Sequence, residues 1–125
     1  MHLAARLALV IPFLLLGFPA QAQEVEVGTN LVCDTQAQVE RFVALYDGDV
    51  QTAVDAVNAE VHDPTACAVS AMAYVRGHQL TTARSKDAAF QIVPILVLGV
   101  VTESGLKTVT PAALFSLLEI EELGV

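Results

Sequence analysis

The side chains able to do chemistry are few. They are two cysteines, Cys33 and Cys67, the histidines His62 and His78, the acidic "DGD" at 47–49, and Ser104 in "TESGLK". Cys33 stands at the head of "DTQAQVERFVALYDG", which reads as a helix. A thiolate at a helix N-terminus has a lowered pKa and becomes a nucleophile when a histidine lies within hydrogen-bond reach. No nucleophile signature surrounds "LVCDTQ", no C-x-x-C redox pair exists, and Cys67 is available as a mate. An EF-hand loop counted from Asp47 needs glycine at the sixth position and glutamate at the twelfth; the chain has Thr52 and Asn58 there. A helix stop followed by an N-cap explains "DGD" better. His62, Asp63 and His78 lack zinc-ligand spacing, with the histidines 16 positions apart and no third strong ligand. Ser104 does not stand in G-x-S-x-G, and serine with glycine is ordinary in a hairpin turn. No carboxylate pair for glycoside chemistry and no phosphate-cradling glycine loop is identifiable. The expectation is a protein without catalytic, cofactor-binding or metal-binding residues.

What positions these side chains begins with the compartment. "MHLAAR" carries a positive start, "LALVIPFLLLGF" is an uncharged apolar run, and "AQA" at 20–22 places small residues around a cleavage point. That is the order of a secretory signal peptide, expected at 1–22 and leaving Gln23 as the first mature residue. The apolar run falls short of the roughly 20 residues a spanning helix needs, which disfavours an uncleaved anchor. Val32 before Cys33 excludes a lipoprotein cleavage site. In an oxidising compartment an even cysteine count in one small domain reads as a structural disulfide, Cys33 with Cys67. Closing that loop stabilises the domain by about 4 kcal/mol on the chain-entropy model. After the leader, the basic residues Arg41, Arg76, Arg84, Lys86 and Lys107 face 14 acidic ones, a net charge of −9. Such a surface argues against nucleic acid and against adsorption to anionic lipid. It is compatible with a basic protein partner, though plain solubility is the simpler account.

Residues 23–125 have the size of one small domain. "QEVEVGTN" alternates Val25 and Val27 with Glu24 and Glu26 and ends in turn formers, so it is a flexible lead-in or a short edge strand. In the first helix Asp34 or Thr35 is the cap, Thr35 and Gln38 have capping-box spacing, and Val39, Phe42, Val43 and Tyr46 share a face. Gly48 ends it, and Asp49 caps a second helix with Val50, Ala53, Val54 and Val57 on one stripe. After the "HDPTA" turn the period becomes that of strands. "CAVSAMAYVR", "QLTTARSK", "FQIVPILVLGVVT" and "LKTVT" follow, with Pro94 and Gly99 marking a bulge or bend. "PAALFSLLEIEEL" fits strand or helix; strand is favoured because it gives the others a final partner.

The fold class is therefore α+β: a helix pair followed by about five antiparallel strands, forming a small curled sheet or an SH3-like barrel. Val39, Phe42, Val43, Val54 and Val57 are expected to meet Val69, Val75, Ile92 and Leu96. The aromatics after the leader, Phe42, Tyr46, Tyr74, Phe90 and Phe115, read as core. The face of "CAVSAMAYVR" carrying Met72, Tyr74 and Arg76 is either covered by the helices or an interaction surface.

The run "NLVCDTQAQVERFVAL", then "AVNAE" and "DPTACAVSAMAYVRG", resembles small exported two-cysteine proteins of alphaproteobacteria, a group with no assigned activity. The resemblance implies export and a single small domain, and it carries over no functional residues. "SG" at 104–105 is similar to the S-G-x-x-Y loop of one class of periplasmic lysozyme inhibitors, but Thr108 stands where the tyrosine belongs. The expected function is a non-catalytic protein- or peptide-binding module of the cell envelope, periplasmic or secreted, without stable membrane insertion once the leader is cleaved. The alternative is an inhibitor of a basic envelope hydrolase such as lysozyme.

Overall fold

The computed structural model describes residues 24–78, 81–85 and 88–120. The expected leader, its cleavage point and the acidic end after 120 lie outside them. The chain runs β1 (Glu26–Cys33), α1 (Gln36–Leu45), α2 (Val50–Glu60), β2 (Cys67–Arg76), β3 (Thr81–Arg84), β4 (Ala89–Thr102) and β5 (Gly105–Ile120). One strand thus precedes the helix pair and four follow it. β1 does not stop at the turn formers Gly28, Thr29 and Asn30, because a continuous ladder with β2 holds all three.

Local signals set both helices. The Thr35 hydroxyl accepts from the Gln38 amide at 3.2 Å while the Gln38 side chain accepts from the Thr35 amide at 3.1 Å, a full capping box. Asp49 caps α2 by accepting from the Thr52 amide. α2 closes with a Schellman pattern: His62 N–H donates to the Ala59 carbonyl, and Asp63 N–H donates to that of Asn58. His62 occupies the left-handed position, φ 57°, where glycine is usual.

The five strands form one antiparallel sheet in the order β2-β1-β5-β4-β3, and β2 also pairs with β4. β2 is thus bonded to β1 on one edge and to β4 on the other, which bends the sheet over on itself. The result is a curled sheet, and the SH3-like barrel is not formed. "LKTVT" and "PAALF…" are one strand, β5, whose pairing with β4 jumps from Gly99–Thr108 to Val97–Ala112. Leu98 on β4 and residues 109–111 on β5 are the bulge, as Gly99 foreshadows. Pro94 lies where β2 ends and β3 has not begun on the same edge of β4. Its carbonyl accepts from Gly77, so its missing N–H falls at the gap between those two ladders.

The curl makes two cores. On the outer face the helices bury Val39, Phe42, Val43, Ala53, Val54 and Val57 against Leu31, both cysteines, Phe90 and Ile92. Inside the curl, Val32, Met72, Tyr74, Val93, Ile95 and Val97 pack together. The expected partners Val69 and Leu96 do not reach the helices: they are 46% and 41% exposed, because the helix pair covers only part of the outer face. Of the strand residues expected there, Ile92 joins the helical core.

Candidate functional site

The cysteines form a disulfide, Cys33 to Cys67, between directly opposed residues of β1 and β2. Cys33 is the last residue of β1 rather than part of the helix start, and the bond staples strand to strand. Both cysteines are 1% exposed. A buried amide supports the bridge. Asn58 of α2 donates to the carbonyls of Cys67 and Pro64, both at 3.0 Å, and accepts from the Cys67 amide at 2.8 Å. β4 does not reach β2 at this end, so the Asn58 side chain takes the place of a neighbouring strand.

Of the residues expected at an interaction surface, Arg76 is exposed and the other two are buried. Met72 and Tyr74 are 1% and 4% exposed, buried by the far strands of the curl rather than by the helices. The Tyr74 hydroxyl accepts from Asn30 at 3.1 Å and donates to Glu26. Arg76, at the exposed end of the strand, pairs with Glu26 at 2.6 Å, and that carboxylate raises the guanidinium pKa further. These side chains close one mouth of the curl.

The histidines and acids considered for metal are placed apart. His62 shapes the helix end, and Asp63 accepts from the amide and hydroxyl of Thr65. His78 follows the end of β2, and no group of three metal-type ligands occurs among the described residues. Ser104 sits at the tip of the β4–β5 hairpin, its amide bonded to the Thr102 hydroxyl.

One feature with capacity for a ligand is a pocket of about 350 Å3 where β1 and β5 part beneath the α1–α2 corner. Thr29, Leu31 and Val69 form one wall, Phe90 and Leu117 the floor, and Phe42, Tyr46 and Val50 the roof. In the roof Tyr46 stacks on Phe42 at 5.6 Å, and it meets Phe90 of the floor edge-on at 6.2 Å. Val50 and Val69 in its lining are 39% and 46% exposed, and Val27, two positions before Thr29 on β1, is 65% exposed. The lining is mainly apolar, with Thr29 and Asn30 as its polar members and Tyr46 as its titratable side chain. A second open groove of about 410 Å3 lies over Val75, Pro94, Leu96 and Ala113. Sequence reasoning missed the first pocket because its residues come from six elements. The usable signal was the alternation of Val25 and Val27, which marks an edge strand with apolar side chains turned outward.

Arg41 and Glu60 clamp α1 to α2 on the far side, with N–O distances of 2.8 and 2.9 Å. The guanidinium lowers the Glu60 carboxyl below its ordinary range. No helix among the described residues is long and apolar enough to cross a membrane. Comparison with known proteins finds no family model, no curated protein and no solved structure that matches this chain.

Proposed function

We infer that the protein is an exported, non-catalytic binding module of the cell envelope, periplasmic or secreted, whose partner is a protein or peptide. The observation that carries the reading is the apolar pocket at the β1–β5 opening, walled by aromatic rings and bordered by exposed valines. Exposed contiguous apolar surface beside a preformed cleft marks an interaction site. The disulfide supports an oxidising compartment.

The test immobilises the protein and exposes it to envelope extract, with two controls, Cys33→Ser/Cys67→Ser and Val69→Asp. A partner retained by the native protein and lost from Val69→Asp supports the reading. Capture that ignores the pocket variant refutes it.

Inhibition of a basic hydrolase is the second reading. It is favoured by the acidic chain and by the β4–β5 hairpin, which exposes Val101 and Leu106 beside Ser104 and Gly105. Undiminished lysozyme activity at excess protein removes it for that enzyme.

A further inference from the structure

β1 is bonded to β5 through two residue pairs, Val32 with Ser116 and Cys33 with Phe115. The same register continued would set Leu31 against Leu117 and Thr29 against Glu119. Instead β5 stays with β4, pairing Leu117 with Ile92 and Glu119 with Phe90, and β1 diverges from it. In an antiparallel ladder the N–H and C=O of one residue point to the same side, and the sides alternate along the strand. The Leu31 carbonyl points toward β5, because it accepts from the Ser116 hydroxyl at 2.7 Å. The backbone groups of Thr29 and Val27 therefore point the same way, and among the described residues nothing pairs with them. Both residues are exposed. A strand edge with free donors and acceptors is a template for another strand. Here the pocket opens beside that edge, at Thr29 and Leu31, where a side chain of an added strand would project.

Charge selects the occupant. Asp47 and Asp49 adjoin the roof residues Tyr46 and Val50, Glu24 precedes the free edge, and the chain carries a net −8. A second copy of this chain, or an acidic segment, would bring like charge to that edge, and a basic segment the opposite. We propose that the free edge of β1 takes an extended basic peptide as an added strand, with one apolar side chain of the peptide seated in the pocket beneath Tyr46. This rests on the reading of the protein as a binding module and names the class of its partner.

The test uses the full chain with its disulfide intact and a panel of fluorescein-labelled six-residue peptides in which Lys alternates with Val, Leu or Phe, read by anisotropy. Saturable binding is expected. It weakens at least tenfold when Glu replaces Lys, and at least tenfold when alternate peptide amides are N-methylated, which removes strand donors but keeps charge and apolar surface. Thr29→Pro deletes an edge donor that β2 does not use and has the same effect. Val50→Lys leaves the edge intact, sets like charge on the pocket roof, and also weakens binding. Methylation-insensitive binding lost in Val50→Lys overturns strand addition while leaving a binding module at the pocket. No saturable binding by any panel member overturns the proposal. So does a dimer in sedimentation velocity that Thr29→Pro dissociates, which assigns the edge to a second copy. Tenfold tighter binding by a chain ending at 120 assigns the edge to the protein's own last residues, with the same consequence.

Discussion

Replacing Asn58 by Leu should cost more than most single substitutions in this protein, and the structure sets the amount. The Asn58 amide makes three hydrogen bonds, two of them to the backbone N–H and C=O of Cys67. Pro64 is exposed, so its carbonyl can turn to water at little cost. Cys67 is 1% exposed, and among the described residues neither of its backbone groups has another side-chain partner. An orphaned buried polar group costs about 1–3 kcal/mol, and Leu fills the space well enough to keep water out. The expected loss is about 3 kcal/mol, partly offset by the apolar side chain. For a domain of about 100 residues each kcal/mol moves Tm by about 4–8 °C, so the midpoint should fall by about 12–24 °C. The assay is thermal and urea unfolding by circular dichroism under non-reducing conditions, with amide exchange as a local readout. The Cys67 amide should exchange faster by at least tenfold while amides in α1 keep their protection relative to global stability. A loss below 1 kcal/mol, or an unchanged Cys67 amide, would refute the argument that this side chain replaces a strand.

Three other outcomes can be checked. His62→Gly should stabilise the fold by about 0.5–1 kcal/mol, because the left-handed position at the end of α2 penalises a Cβ; a neutral or destabilising result in urea melts contradicts this. Cys33→Ser/Cys67→Ser releases a bond spanning a sequence separation of 34 and should cost about 4 kcal/mol on the chain-entropy model, measured as a shift in urea midpoint. Arg41→Ala should return the Glu60 carboxyl to the ordinary range, read by carbon-detected NMR titration. Because the folded Glu60 titrates below its unfolded value, the stability it adds is present above the unfolded pKa and disappears as pH falls through the folded one. The native protein should therefore lose more stability than Arg41→Ala over that acidic interval.

The helices were readable because their signals are local. The Thr35 capping box and the Asp49 cap each need residues within three positions. The strand character of the last segment and the bulge at Gly99 were also legible, one from the other strands' need of a final partner and the other from a residue that weakens a flat ladder. β1 was read too short because Gly28, Thr29 and Asn30 favour turns in isolation, and their pairing with β2 overrides that preference. The face of Met72 and Tyr74 shows a different failure. Alternation tells which residues share a face, not which element lies over it. The cover comes from β4, over 20 positions downstream, through a β2–β4 ladder no local pattern announces. The pocket was illegible for the same reason, since Leu31, Tyr46, Phe90 and Leu117 meet only after the sheet bends.

The short seam between β1 and β5 has a kinetic meaning. It joins the first strand to the last, and its Ser116–Leu31 hydrogen bond spans 85 positions. The β4–β5 hairpin, by contrast, pairs residues as near as Thr102 and Gly105. Closing a long loop costs more chain entropy than closing a short one, so local hairpins form early and this seam late. A contact made after the transition state acts on the unfolding rate and leaves the folding rate nearly unchanged. A strand bound along β1 would reinforce the seam that opens first. Occupancy should then appear as a longer native lifetime, with refolding as fast as in the unbound protein.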